Sequence, residues 1–176
     1  MRSSQHGSAR PGLLYAYALA LGIIVADQLS KYWVQLNFEL YERMPLLPFL
    51  DFTLVYNKGA AWSFLSDAGG WQRWLFTAIS LVVSVLLVVW IARVQRSQRL
   101  LLFALACILG GAVGNLVDRV MLGQVVDFVL VYYRDWYFPA FNLADSAITV
   151  GAGCMILDIF IGEDAHADER AGPAPD

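Results

Sequence analysis

The stretch VVDFVLVYYRDWYFPAFNLAD, residues 125–145, decides how the chain is read, because it sets an aspartate near each end of a run of strand-forming residues. Val, Tyr, Phe and Trp dominate it, which favours a pleated, half-buried surface over a helix. Its end, FNLAD, opens an apolar segment long enough to be a helix. Asp127 is thus expected on a strand and Asp145 in the first turn of a helix, with the intervening loop free to bring them to one cleft.

Around this stretch the sequence is built for lipid. Of 176 residues, 59% are hydrophobic and 15% charged, whereas soluble domains carry about a quarter charged residues. Mean hydropathy is +0.56. Crossing a hydrocarbon core takes roughly 20 helical residues, and four segments qualify, at about 13–33, 74–92, 100–120 and 141–161. The fold expected is a mainly α membrane protein. It has four transmembrane helices, a small extracytoplasmic β-sheet and a short external helical or loop segment, all in one domain over 13–161.

Residues 1–12 and 162–176 read as cytoplasmic tails. The second holds Glu163, Asp164, Asp168, Glu169 and Asp176 in a polar stretch expected to be disordered. The first span follows a basic start and contains ALA at 18–20, as a cleaved signal would, but its length and the polar DQLSK after it favour a retained helix. Arg2 and Arg10 precede that span, and Arg93, Arg96 and Arg99 crowd a short loop without acids. Dense Lys and Arg mark the cytoplasmic side, so both termini are placed there. Lys58, Arg43, Arg73 and Arg134 fall in the longer external segments. Trp33, Trp62, Trp71, Trp74, Trp90 and Trp136 lie mostly at span ends or in external loops, as an interfacial belt requires. No basic patch suggests nucleic acid.

In the first external segment, Phe52, Leu54 and Tyr56 alternate with Asp51, Thr53 and Val55, the period of a strand. A turn follows at Asn57-Lys58-Gly59. This strand and the one around Asp127 are expected to pair over the outer membrane face.

Polar residues inside the spans gather at one depth. Asp27 and Lys31 share a helix face four residues apart, and Asn115, Asp118 and Arg119 share another. Asn142 and Asp145 start the fourth helix; at about 1.5 Å of rise per residue, Asp145 lies one turn below the outer surface. Ionisable groups in a span are costly and generally mark function, although Asp27 with Lys31 reads equally as a structural ion pair, and Asp118 with Arg119 more readily so. Asp158 reads as interfacial, and Asp51, Asp67 and Asp135 as loop acids. Cys107 and Cys154 fall mid-span and read as packing residues.

The chemistry available is limited. His6 and His166 lie in the tails, which disfavours a zinc site or a Ser-His dyad. Ser30 and Lys31 are neighbours on a helix, about 100° apart, and do not face each other; Ser63 and Ser146 stay open. What remains is a carboxylate pair, one ionised to take a proton from water and one protonated to polarise a carbonyl. Asp127 and Asp145 are the best placed pair.

Five motifs in order, DQLSK at 27–31, NKGAAWSF at 57–64, GGAVGNLVDR at 110–119, VVDF at 125–128 and FNLAD at 141–145, make the chain resemble lipoprotein signal peptidase, also called signal peptidase II, an intramembrane aspartyl protease family of the bacterial inner membrane. Trp62 departs from the phenylalanine expected there. The resemblance implies that Asp127 and Asp145 are catalytic and that Asp27, Lys31, Asn57, Gly59, Asn115, Arg119, Asn142 and Ala144 support them. It implies no cofactor or metal and a monomer among membrane lipids, with the active site near the periplasmic face. The implied substrate is a prolipoprotein carrying diacylglycerol on its lipobox cysteine, cut on the amino side of that cysteine. Two other classes stay in view. A proton-coupled transporter needs polar groups at successive depths, and a structural membrane subunit leaves the convergence of motifs without a reason. A presenilin-type protease lacks its GxGD pattern, since Gly123-Gln124-Val125-Val126 precede Asp127.

Overall fold

A computed structural model describes residues 11–59, 69–95 and 98–171, and the side chains of 12–161 within them. The elements run α1 (Pro11–Asn37), β1 (Arg43–Leu47), β2 (Leu50–Asn57), α2 (Trp71–Arg93), α3 (Arg99–Met121), β3 (Val125–Tyr133), β4 (Trp136–Tyr137) and α4 (Leu143–Ala171). All four helices contain a stretch long and apolar enough to cross a bilayer, namely Gly12–Asn37, Trp71–Arg93, Arg99–Met121 and Leu143–Ile161. The expected mainly helical membrane fold is thus present. Trp62, Ser63 and Asp67, and with them most of the second motif, lie outside the described residues.

Helix α3 is the hub of the bundle. Over its most apolar 18 residues α3 is 67% buried, against 17% for α1 and α2 and 11% for α4. The outer helices present Leu, Val, Ile and Trp side chains outward, where lipid would cover them. Lipid offers no hydrophobic drive for helices to associate, so close backbone packing through small residues does the work. On α3 those residues are Gly110, Gly111, Ala112 and Gly114, all buried. A methyl group on Gly111 would overlap the carbonyl oxygen of Ala144, and one on Gly114 would sit 2.7 Å from Asp27 Oδ2. These two glycines let α1 and α4 approach α3 closely enough for their polar groups to meet.

The sheet is antiparallel with strand order β1-β2-β3-β4. Strands β2 and β3, separated in sequence by α2 and α3, pair with Val55 opposite Asp127 and Asn57 opposite Val125. The ladder slips between Phe52 and Val55. Its apolar face, Leu54, Val126 and Phe128, packs on Val34 at the end of α1. Along α1, Ala16 and Ala20 therefore serve the bundle core, Asp27 and Lys31 follow, and Val34 serves the sheet.

The 125–145 stretch doubles back on itself. Strand β3 turns at Arg134, whose φ of 54° is left-handed, and returns through β4 until Phe141 bridges Val129. The amides of Val129 and Phe141 bond each other's carbonyl oxygens at 2.8 and 3.0 Å. This return places the start of α4 beside Asp127.

Three local expectations differ. The alternation in β2 does not put only the apolar set inside: Asp51 and Thr53 are buried with Leu54. Asp51 is no loop acid but a strand residue paired with Arg43, Nη2 at 2.6 Å. The ladder slip rotates the face of the strand, and Arg43 on β1 supplies the countercharge. At the other end of the chain, α4 begins at Leu143 and stays helical to Ala171, so the polar stretch continues the helix for ten residues beyond the expected 161.

A Gly111→Ala substitution is expected to destabilise the protein by about 1–3 kcal/mol, the usual cost of overpacking. Reversible unfolding in detergent, compared with an Ala substitution at the open Gly153 site, measures it.

Candidate active site

The site begins with a lysine buried among acceptors. Lys31 Nζ lies 2.8 Å from Asp27 Oδ2 and 2.9 Å from Asp118 Oδ2, and donates to Asn115 Oδ1 at 3.0 Å. An ammonium has three protons, and each has its own partner. Lys31, Asp27 and Asp118 are all nearly inaccessible to solvent. Burying such charges costs several kcal/mol per ion unless the geometry satisfies them, as it does here. Gln28 Nε2 adds bonds to Asp118 Oδ1 at 2.9 Å and to the Gly114 carbonyl at 3.1 Å.

The partners of Lys31 anchor two further elements, α4 and β3. Asp27 Oδ1 accepts the Ala144 N–H at 2.9 Å, so a carboxylate sits at the positive end of α4, where a helix favours negative charge. Asp118 Oδ2 accepts the Val126 N–H at 3.0 Å, one residue before Asp127. Asn115 donates through Nδ2 to Asp145 Oδ1 at 2.8 Å.

Asn142 caps α4. Its Oδ1 accepts the Asp145 N–H at 2.9 Å, and Asp145 Oδ2 accepts the Asn142 N–H at 3.2 Å. This is a capping box with aspartate as the acid. The box fixes the Asp145 carboxyl at the head of the helix. The other end of the Asn142 side chain, Nδ2, donates to Asp127 Oδ1 at 2.7 Å and approaches Asn115 Oδ1 and the Val126 carbonyl at 3.2 Å.

The sheet supplies the last contact. Asn57 lies two residues beyond Val55, which faces Asp127, so its side chain is on the same face and diagonal to the carboxyl. Asn57 Nδ2 donates to Asp127 Oδ2 at 3.1 Å, while its Oδ1 accepts the Gly59 N–H at 2.9 Å, a turn that orients the amide. Both carboxyls therefore accept N–H donors on each of their oxygens. Asn142 touches both, and Asn115 links Asp145 to Asn142. Burial, then the like charge of Asp145, pushes the Asp127 carboxyl up to about 7 against the opposing pull of Asn57, Asn142 and Lys31. A carboxyl in that range exists in both protonation states at neutral pH, as acid–base work requires.

Arg119 completes the cluster at the end of α3. Its charge lies near enough to Asp145, Asp127 and Asp118 to attract each of them. It does not pair with Asp118; its Nη1 donates to the Asn115 carbonyl at 3.2 Å. Asp127, Asp145, Asp27, Lys31, Asn57, Gly59, Asn115, Arg119, Asn142 and Ala144 thus converge. Sequence reasoning passed over Asp118 as a site member and missed Gln28. Asp118 carried a legible signal, since it lies three residues from Asn115 on one helix face. Gln28 carried none, because adjacent helical residues diverge and only its length brings it across. Ser30 Oγ bonds the Asp27 carbonyl at 2.8 Å and Ser146 Oγ the Asn142 carbonyl at 3.0 Å, so both hydroxyls are spent on their own helices. No cluster of three His, Cys, Asp or Glu side chains among the described residues is arranged as a metal site.

Lys31→Met would strand two buried carboxylates, and a loss of about 3–5 kcal/mol of stability is expected. Denaturant unfolding in detergent checks it, and Met at 31 combined with Asn at both 27 and 118 should recover part of the loss.

Known proteins are similar to this chain in sequence and in fold. The model of the family described as signal peptidase (SPase) II matches residues 19–161. A lipoprotein signal peptidase of Cellvibrio japonicus (strain Ueda107) is 53% identical over 154 residues, covering 88% of this chain and 91% of the relative. One from Pseudomonas aeruginosa (strain UCBPP-PA14) is 55% identical over 150 residues, with coverage of 82% and 89%. A solved bacterial membrane enzyme, determined by the in meso method at 2.3 Å resolution, superposes with a TM-score of 0.75 at 29% identity, covering 83% of this chain and 87% of its own.

Proposed function

The chain belongs to the signal peptidase II family, and on that premise we propose that Asp127 and Asp145 are the catalytic pair with which it cuts its substrate. It is a membrane protease that removes signal peptides from prolipoproteins. The observation that carries the catalytic assignment is the shared amide frame: Asn142 reaches both carboxyls, at 2.7 Å to Asp127 through its side chain and at 3.2 Å to Asp145 through its backbone.

The reaction follows from the pair holding a single proton. The ionised aspartate removes a proton from a water molecule, whose oxygen attacks the scissile carbonyl carbon. The protonated aspartate donates to the carbonyl oxygen as it becomes tetrahedral. When the C–N bond breaks, the departing amine takes a proton from the pair while a hydroxyl of the tetrahedral intermediate returns one as the carbonyl re-forms, so one proton again remains shared. No covalent intermediate forms, and the serines are not required. Coupled acids titrate as a unit, so the two roles belong to the pair. Asn57, Asn115 and Asn142 fix the carboxyl planes, and Asp27, Lys31 and Ala144 fix the helix that presents Asp145. Among the described residues the Asn115 carbonyl engages one of the five guanidinium donors of Arg119, and the others are offered to the substrate. Gly59 sets the turn that aims Asn57.

The substrate reading is a prolipoprotein carrying diacylglycerol on its cysteine, cut on the amino side of that residue. Acyl chains hold such a cysteine at the membrane surface while the signal helix stays embedded. The aspartates stand where the helical bundle meets the sheet, the depth such a bond would occupy. Arg93 and Arg99, at the other end of the bundle from the aspartates, favour that end as cytoplasmic. This gives an inner-membrane enzyme with both termini cytoplasmic, the site near the periplasmic face, and a single copy sufficient.

Asp127→Asn and Asp145→Asn are each expected to reduce cleavage of a purified diacylglyceryl prolipoprotein roughly 10²–10⁴-fold with the fold retained. Near wild-type turnover by either variant in folded protein defeats the two-aspartate reading. The pH profile gives a second test. With the Asp127 carboxyl pushed up to about 7, raising pH through that range strips the pair of its shared proton, so activity should fall on the alkaline side. Asn57 stabilises the charged form, and Asn57→Ala should therefore move that limb to higher pH.

A further inference from the structure

Helix α3 ends at Met121, and the last four carbonyls of a helix lack partners within it. Here the Leu122 N–H takes the Asp118 carbonyl at 2.7 Å. The next two carbonyls go to a side chain from another helix: Arg73 Nε donates to Arg119 O at 3.1 Å, and Arg73 Nη2 to Val120 O at 2.8 Å. A cationic side chain at a helix C-terminus satisfies both hydrogen bonding and the dipole. The guanidinium also lies against the turn that follows. Gly123 has φ +76°, and a methyl group there would be 3.0 Å from Arg73 Nη1.

One turn along α2 stands Phe76, on the same face as Arg73. The Arg119 guanidinium carbon lies 5.7 Å from the Phe76 ring centroid, within cation–π range. Two side chains of α2 thus grip the two halves of Arg119, Arg73 its backbone and Phe76 its charge. Among the described residues no carboxylate forms an ion pair with Arg119, and the Asn115 carbonyl is the hydrogen-bond acceptor its guanidinium reaches. Four residues past Gly123, the same turn delivers Asp127 on β3.

We propose that Arg73 and Phe76 are positioning residues that set Arg119 and the α3–β3 turn in register with the aspartate pair. The proposal rests on the peptidase reading, because it is the reaction at Asp127 and Asp145 that the grip would serve. Arg73 acts through Arg119 and the turn, without touching the reacting atoms. Its removal leaves two carbonyls at the membrane interface to water, and leaves the Arg119 backbone free to drift. A displacement of about 1 Å in a positioning group can cost as much as a hundredfold in rate.

The test compares Arg73→Ala, Arg73→Lys, Phe76→Leu, Arg119→Ala and the double variant Arg73→Ala/Arg119→Ala, each verified as folded. The assay is cleavage of a diacylglyceryl prolipoprotein in detergent, with Asp127→Asn as the inactive control. Arg73→Ala is expected to lower kcat about tenfold or more with KM changed less than about twofold. Arg73→Lys should recover part of that loss, and Phe76→Leu should show a smaller loss of the same kind. If Arg73 works in part through the Arg119 side chain, the double variant loses less than the product of the two single losses; losses that multiply in full overturn the proposal. Wild-type kcat in folded Arg73→Ala also overturns it. Amide hydrogen exchange over residues 119–126 probes the grip without substrate. Faster exchange in Arg73→Ala supports the grip, and unchanged exchange removes it. Failure of the wild-type chain to cleave would instead strike the peptidase reading, leaving exchange to judge the grip.

Discussion

One buried ammonium organises the catalytic half of this molecule. Lys31 meets Asp27, Asp118 and Asn115 within 3.0 Å, and each of those partners extends the constraint to another element. Asp27 reaches the first turn of α4, Asp118 reaches the first residues of β3, and Asn115 reaches Asp145. Neither aspartate of the pair contacts Lys31 through a hydrogen bond, yet the placement of both passes through it. A charge in this position must be fully satisfied or strongly destabilising, which makes the arrangement all-or-none.

The close packing of α3 is what allows that arrangement. Gly111 and Gly114 remove the side chains that would separate α3 from Ala144 and Asp27. In lipid, where apolar contact gives little preference for one helix pairing over another, small residues and polar pairs together choose the packing. The same glycines that let helices touch therefore bring the carboxylate of Asp27 to the amide of Ala144. Stability and the site share one set of residues at this depth.

The site also depends on structure outside the bundle. Asp127 is a strand residue, oriented by its register against Val55 and by Asn57 on the same face. Asp145 is a helix residue, oriented by the capping box with Asn142. The return of chain from β3 through β4 to the Phe141 bridge joins these two environments. Their unlike settings matter chemically: Asp127 is buried in the sheet and its carboxyl is pushed up to about 7, while Asp145 sits at a helix head beside Arg119.

Much of this was legible in the sequence because lipid imposes strong rules. Four apolar segments of sufficient length announced four helices. The period-two pattern around Asp51 and the β-branched and aromatic residues around Asp127 announced strands, and helical spacing put Asp27 with Lys31 and Asn115 with Asp118. Motif order carried the supporting residues. What sequence could not decide depended on contacts between distant segments. The β1–β2 pairing set Arg43 diagonally across from the buried Asp51, an outcome fixed by register and not by composition. Gln28 entered the network because a long side chain crossed from α1 to α3. The grip of Arg73 and Phe76 on Arg119 exists only because α2 packs beside the end of α3. Sequence determined which groups lie at one depth, since rise per residue is fixed along each helix. Only the tertiary structure decided which of them touch, since contact depends on helix rotation and strand register.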